Sequence, residues 1–376
     1  MGSVDAKPVK KKVLFLLEAF DKGGIEKVTL DIVNNLDPEK YDITVQTFWY
    51  GGHCQSLVNS NVQVIPFFFK RYVRGIIRLI EYLPPKMLYR LFVRGKYDVE
   101  IAASDGGAAK VISGSTNKKA KKICWVHMDV IERGSQLKEF KSTETAKPIY
   151  EKFDLIAPVS QACAEKFKRK FGNDYPYTVV RNPLPVSEIL CKSNEPLELP
   201  KQSGISIVCI GRLVEQKGFD RLLEVCKRLL NEGIDNYKVY IVGDGPQRDN
   251  LERIIARDNL TSYVELVGYQ TNPYTYLKQA DVFFLSSRDE SFSLVIGESL
   301  IVGTPVVATV CSGVSEWLES GKYGMIVDNS VDGIYQGMAA ILRNPELINQ
   351  YRTRIPEAQA KISFEQALTD FEKILV

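Results

Sequence analysis

The chain is poor in side chains that bind metals. Its 376 residues include 2 histidines, His53 and His127, and 7 scattered cysteines with no Cys-x-x-Cys pair. Without that spacing neither a thiolate zinc site nor a disulfide framework is indicated, and the thiols read as those of a cytoplasmic protein. Asp-x-Asp is absent as well; the nearest acidic pair, Asp98 and Glu100, falls in a run that reads as a strand, so no metal site is expected. Long apolar runs are also missing. Val282–Leu285 within ADVFFLSS is far shorter than the ~20 residues of a spanning helix. The basic start MGSVDAKPVKKK leads into no stretch of signal-peptide length, and Ala6 stands where myristoylation wants Ser or Thr. Secretion is not expected, and any membrane contact would be peripheral.

What is present is the balance of a folded protein: 45% hydrophobic, 25% charged, 26 Gly and 17 Pro. Single cores stop growing near ~250 to 300 residues, so this length predicts two domains. The net charge of +3 hides an asymmetry. Residues 1–185 hold 30 Lys and Arg against 20 Asp and Glu, a balance of +10, whereas residues 186–376 hold 19 against 26, a balance of −7. A basic half suits an anionic partner. It lacks the aromatic interleaving and motifs of a nucleic-acid binder, so no nucleic acid is expected.

Short apolar runs alternate with helical periodicity. KVLFLL at 12–17 reads as a buried strand, and Gly23-Gly24 leads into a helix with Ile25, Val28, Ile32 and Leu36 on one face. Further strands are expected at 43–48, 62–66, 99–103, 122–126, 155–159 and 178–180, giving a βα series with a parallel sheet. A stretch with Pro183, Pro185, Pro196 and Pro200 has linker composition. The pattern then restarts, with strands at 205–210, 239–242, 264–267, 282–285 and 305–308. Helices fall at 220–231 and 247–257, and no short-period repeat is visible. The expected domains are 1–185 and 186–355, with a terminal helix over 356–376 that packs back on the first. Two doubly wound domains would face each other across a cleft at their carboxyl strand ends.

Several constellations carry chemistry. GRLVEQKGFD at 211–220 places Arg212 and Lys217 in a loop before a helix, with Asp220 as the expected cap; two cations beside a positive helix end suit a diphosphate. At an effective dielectric of 20 a charge pair at 4 Å is worth on the order of 4 kcal/mol before desolvation. In RDESFSLVIGESLIVGTPVVAT at 288–309, Glu290 ends a loop, a helix begins at 291–294, Glu298 lies inside it, and Gly303-Thr304-Pro305 stops it. Carboxylates accept from vicinal sugar hydroxyls, and exposed helix-end amides take phosphate oxygens. Gly23-Gly24 lets a backbone approach a ligand but is not Gly-x-Gly-x-x-Gly, which disfavours a dinucleotide. His127 leaves the carboxyl end of a strand, and His53 reads as a loop residue.

Glu290, Glu298 and the seven residues between them resemble the E-x7-E motif of retaining glycosyltransferases of the GT-B fold. Gly211-Arg212 with Lys217-Gly218 resembles a segment of glycosyltransferase family 4. The order of Gly-Gly-x-Glu, His127, Asn182-Pro183, Val242-Gly243-Asp244-Gly245-Pro246, Val267-Gly268 and Thr304-Pro305-Val306-Val307-Ala308 also matches, over nearly the whole chain. The resemblance implies a nucleotide-diphosphate sugar donor, with UDP favoured on family frequency, bound mainly by the second half. A glycan or lipid-linked acceptor would bind mainly to the first half, through residues that the sequence leaves unassigned. It implies Arg212 and Lys217 on the diphosphate, Glu298 on the ribose, and Glu290 on the donor sugar. Backbone amides around Phe292, Ser293 and Leu294 would reach phosphate and sugar. His127 would lie near the donor's 6-hydroxyl and Gly24, beside Gly23, near the phosphate. Gly211 and Gly243 belong to donor-binding turns, and Tyr269, just after Val267-Gly268, to the segment that meets the nucleobase. No cofactor is implied. Where many members have Gly-Gly-x-x-Glu, this chain has Ser312-Gly313-Val314-Ser315-Glu316. A sugar-nucleotide epimerase of the same fold and a catalytically silent partner subunit are the alternatives, although a silent subunit would be expected to lose Arg212, Lys217 or Glu290. Finally, residues 66–97 hold Lys70, Arg71, Arg74, Arg78, Lys86, Arg90, Arg94 and Lys96 against Glu81, with Ile76, Ile77, Ile80, Leu83, Met87 and Leu91 available as apolar faces, and Lys118, Lys119, Lys121 and Lys122 form a second cluster. Association with the anionic inner face of the cell membrane is the expectation.

Overall fold

A computed structural model of the protein describes residues 9–20, 23–49, 53–66, 80–127, 143–197 and 204–376. The chain divides into two compact units: Met1–Pro183 with Glu365–Val376, and Leu184–Phe364. Residues 356–364 thus stay with the second unit and 365–376 join the first.

Each unit is built on a six-stranded parallel sheet. In the first, β1 (Lys11–Leu17), β2 (Tyr41–Thr47), β3 (Gln63–Pro66), β4 (Val99–Ala102), β5 (Lys121–Val126) and β6 (Leu155–Pro158) lie in the order β3-β2-β1-β4-β5-β6. In the second, β7 (Ile205–Ile210), β8 (Tyr237–Val242), β9 (Val264–Gly268), β10 (Val282–Leu285), β11 (Val306–Thr309) and β12 (Gly324–Val327) lie in the order β12-β11-β10-β7-β8-β9. Crossover helices cover parallel strands on both faces, so the strands read as continuous apolar runs. Every residue of β4, β6, β8, β10 and β11 is buried.

Two strand assignments differ from the sequence reading. Residues 178–180 form no strand; the chain there makes a single bridge between Ile156 and Tyr177. Thr178 donates to Ile156 O at 3.1 Å and Val180 to Pro158 O at 2.9 Å. The ladder bond between them would need an amide proton on residue 158, which proline lacks. Conversely, β12 escapes detection because GMIV begins on a glycine and offers three apolar residues at a sheet edge.

The helix Phe364–Leu375 completes the first unit's core. The ring of Phe371, fully buried, stacks on Phe15 at a centroid distance of 5.9 Å and meets Trp125 edge-on at 5.0 Å. Lys11 Nζ donates to Leu375 O at 2.9 Å and Lys121 Nζ to Val376 O at 2.6 Å, placing cations at the negative end of the helix. Phe371→Ala is expected to cost about 3–5 kcal/mol by leaving a cavity against β1 and β5. Hydrogen exchange checks this: amides of β1 and β5 should lose protection, and unchanged protection there excludes the anchoring role.

Candidate functional site

The order of the second sheet decides where its functional residues meet. β7 and β10 are neighbours, with Ile207 opposite Val282, but the chain continues from them in opposite directions, to β8 and β9 on one side and to β11 and β12 on the other. At such a switch point the loops leaving the carboxyl ends diverge and open a crevice. Lys217 comes from the first loop and Glu290 from the second. Lys217 Nζ donates to Glu290 Oε1 at 2.5 Å, and Ser287 Oγ donates to the same oxygen at 2.8 Å. The two side chains retain 18% and 10% of their exposure.

Glycines let these loops pack. A Cβ on Gly211 would stand 3.1 Å from Lys217 Cε, so the lysine stem lies over that residue. Gly243 has φ +144, and a Cβ there would be 2.0 Å from Gly211 O, so a side chain fits neither the backbone conformation nor the space. Arg212 is exposed in the same loop.

Two local expectations are corrected. Asp220 does not cap the helix Phe219–Asn231; the cap is Gly218 at φ 66, and Asp220 lies in the first turn. Its carboxylate instead receives Arg288 Nη1 at 2.7 Å and Nη2 at 2.6 Å. Gly218 takes the cap because the turn Glu215–Lys217 must reverse into the helix through a left-handed residue. The helix expected to begin at 291–294 spans Leu294–Val302, with Ser293 as its cap.

Ser293 makes no capping hydrogen bond from its side chain. Its hydroxyl is buried without a partner among the described residues, and the helix's first-turn amides stand without a side-chain cap. Such an end attracts anions. Phe292 packs on Trp317 with ring centroids 4.8 Å apart. Glu298 is buried on the same helix, where Tyr274 Oη donates to Oε1 at 3.4 Å. Tyr269 is 44% exposed just beyond β9. Gly313 N donates to Glu290 O at 3.3 Å, and a Cβ on Gly313 would lie 2.6 Å from Ser291 O. The close approach behind Glu290 therefore requires glycine at 313, which the chain keeps. Burial and the charge of Glu290 push the nearby Cys311 thiol up to about 12, so it is no nucleophile at neutral pH.

In the first unit, Gly23 caps the helix that starts at Gly24, again without a side-chain bond. His127 follows β5, is 8% exposed and packs on Trp125 at 4.2 Å. Its Nε2 has no partner among the described residues, and burial lowers its pKa to about 3, so the imidazole is neutral at physiological pH. Asn182 is buried with Oδ1 likewise unpartnered among the described residues. His53 opens a short helical turn, His53–Leu57. Among the described residues no three His, Cys, Asp or Glu side chains gather as metal ligands.

The structure thus brings Gly211, Lys217, Gly243 and Glu290 together in one unit and places Gly23, Gly24 and His127 in the other. Sequence reasoning missed Ser287 and Arg288. The first has no signal beyond its distance of three from Glu290, and the second pairs with Asp220 across 68 residues.

His127 carries a pH dependence with a definite sign. Its ordinary pKa is 6.5 and the folded value is about 3, so between those limits the unfolded chain binds a proton that the folded chain refuses. Stability is full above pH 6.5 and falls by up to about 1.4 kcal/mol per unit as pH drops through the window. His127→Gln should flatten urea-unfolding stability between pH 6.5 and 4; parallel curves for the two proteins sink the assignment.

Residues 194–358 match the family model of glycosyl transferases group 1. An uncharacterized glycosyltransferase of Haemophilus influenzae is 23% identical over 98% of this chain and 100% of its own. A lipopolysaccharide core biosynthesis glycosyltransferase of Rhizobium meliloti is 31% identical, over 48% of this chain and 50% of its own. Among solved structures, Anabaena HepE in complex with UDP and glucose superposes with a TM-score of 0.77 at 19% identity, covering 97% of this chain and 99% of that one. The fold is therefore that of the GT-B glycosyltransferases, and the sequence relatives support a glycosyltransferase.

Proposed function

We propose that the protein is a retaining, metal-independent hexosyltransferase. It would move a sugar from a nucleotide diphosphate, with UDP favoured, to a glycan or lipid-linked acceptor in cell-surface polysaccharide or glycolipid synthesis. The observation that carries this reading is the contact of Lys217 with Glu290 at the switch point, beside a helix start with no side-chain cap. A cation, open amides and a carboxylate within one crevice match a diphosphate joined to a sugar. UDP and glucose in the Anabaena structure, and lipopolysaccharide core biosynthesis in the Rhizobium name, agree with it.

The chemistry follows from charge. The bond from the anomeric carbon to the diphosphate oxygen breaks, the carbon gains oxocarbenium character, and negative charge grows on the diphosphate. Lys217, Arg212 and the amides of Phe292, Ser293 and Leu294 stabilise that charge where it develops. The acceptor oxygen bonds to the carbon from the face the diphosphate leaves, and its proton passes to the diphosphate. Glu290 accepts from the donor sugar's hydroxyls and Glu298 from the ribose. Tyr269 borders the base, with Gly211 and Gly243 keeping the loop backbones close. The resemblance would add Gly23 and Gly24 for the phosphate and neutral His127 for the 6-hydroxyl.

Membrane association belongs to the same reading. On the helix Pro85–Phe92, Lys86 and Arg90 are exposed beside Met87 at 54% and Leu91 at 42% exposure, while Leu88, Tyr89 and Phe92 are buried. Cations beside apolar side chains suit an anionic interface. Lys70, Arg71, Arg74, Arg78, Ile76 and Ile77 lie outside the described residues. In the second cluster, Lys121 and Lys122 already pair, with Val376 O at 2.6 Å and Asp154 at 3.9 Å. No described helix is long and apolar enough to cross a membrane.

Mutagenesis, chelation and vesicle flotation test the reading. Lys217→Ala and Arg212→Ala should weaken nucleotide diphosphate binding and turnover together. Glu290→Ala should cut turnover by roughly 10²-fold or more while sparing binding of free nucleotide. Activity should survive excess EDTA; its loss with rescue by manganese, or poor nucleotide binding by the Glu290 variant, refutes the scheme. For the membrane, Lys86→Glu with Arg90→Glu should reduce flotation on anionic vesicles at low salt, at about 1 kcal/mol per cation. Equal recovery on neutral and anionic vesicles excludes the electrostatic part.

A further inference from the structure

Glu290 sits at the end of a loop, and its use depends on what holds that loop. Residues 286–293 link β10 to the helix Leu294–Val302 and form no regular structure. Arg288 makes more of their bonds than any other residue of the loop. Its amide donates to Gln216 O at 2.7 Å, and its guanidinium reaches Glu215 O at 2.6 Å as well as both carboxylate oxygens of Asp220. Its carbonyl accepts from Asn329 Nδ2 at 2.8 Å. Gln216 Nε2 returns a bond to Asp289 O at 2.8 Å, and Ser286 Oγ donates to Lys217 O at 2.9 Å. The loop that bears Glu290 is therefore tied through residues 286, 288 and 289 to the turn that bears Lys217, at residues 215, 216, 217 and 220.

Resting on the donor-site reading above, we propose that Arg288 and Asp220 are positioning residues. Their forked ion pair fixes the 286–290 loop against the 215–220 turn, so that the Glu290 carboxylate stands at the sugar while Lys217 keeps the diphosphate. Neither side chain needs to touch the donor.

The pair's surroundings distinguish positioning from bulk stability. The Arg288 and Asp220 side chains are 33% and 42% exposed, and ion pairs of that exposure contribute little to folding. The geometry is nevertheless bidentate, which an arginine fork supplies and a lysine cannot. Burial raises the Asp220 carboxyl, but hydrogen bonds and charge from Arg288 outweigh it and hold the group below its ordinary value, so the pair is charged throughout the neutral range. A loop displaced by an ångström near a reacting centre can cost ~10²-fold in rate. Lys217 lies on the opposite strand's turn, which Ser286 holds independently. Loss of the clamp should therefore strike the sugar end of the donor and spare the diphosphate end.

The test uses the full chain with UDP-glucose, GDP-mannose and ADP-glucose, reading nucleoside diphosphate release, binding of the free nucleotide and the melting temperature. Arg288→Ala and Asp220→Asn should each lower kcat roughly 30-fold. Free-nucleotide affinity should stay within about threefold and the melting point within about 3 °C of the unaltered protein. The double variant should be no worse than either single one, because both remove the same contact. Arg288→Lys should recover only part of the loss. Additive losses, a fall in kcat matched by a fall in melting point, full recovery by lysine, or unchanged kcat each overturn the clamp while leaving the donor site standing. If the unaltered protein neither binds nor turns over any of the three donors, the donor-site reading falls and the clamp with it.

Discussion

The second unit depends on the reversal of strand order between β7 and β10. In a parallel sheet wound one way throughout, a crossover helix would separate each loop from the next. Reversal removes that helix at one place and lets two loops touch. Lys217 and Glu290 are among the residues that meet there, at 2.5 Å. Gly211, Gly243 and Gly313 allow the meeting, since a side chain at either of the latter two would strike backbone. The features of the site follow from this one topological fact and the glycines that exploit it.

Pairing a lysine with a glutamate in so enclosed a place is not a gain for folding. Desolvating two charges offsets most of their attraction, and apolar residues of equal size often do as well or better. With 18% and 10% of the side chains exposed, the pair is mostly buried and yet lies at a loop end rather than in the core. Ser293, whose buried hydroxyl caps nothing, follows the same logic two residues beyond Ser291. Polar groups left in such arrangements make sense when an anion and hydroxyls arrive to use them, and little sense as scaffold.

Much of this was legible in the sequence. The apolar runs of β1, β7, β8 and β10 and the loops after them carried the fold, and Glu290, Glu298, Arg212 and Lys217 were visible as motifs. What escaped had physical causes. Pro158 interrupts the ladder that the β-branched residues 178–180 promise, because a missing amide proton leaves hydropathy unchanged. Asp220 has the composition of a cap, but competition from Arg288, distant in sequence, decided its partner. Ser312 looked like a lost glycine, whereas Gly313 makes the close contact and the neighbouring position tolerates a side chain. Local pattern specifies elements; partners brought in from 60 or 70 residues away decide what the polar residues do.

The first unit poses a different constraint. Its sheet is assembled from residues before 160, but Phe371 lies fully buried against Phe15 and Trp125. Those rings come from the first and fifth strands, so this part of the first unit's core is complete only with residues 365–376. Contacts of such sequence separation form late and slowly, because loop closure must be offset before they stabilise anything. The second unit has no such debt: its residues run continuously from Leu184 to Phe364. The first unit's core is therefore complete only after the whole of the second has been made, whereas the second is closed by one continuous segment.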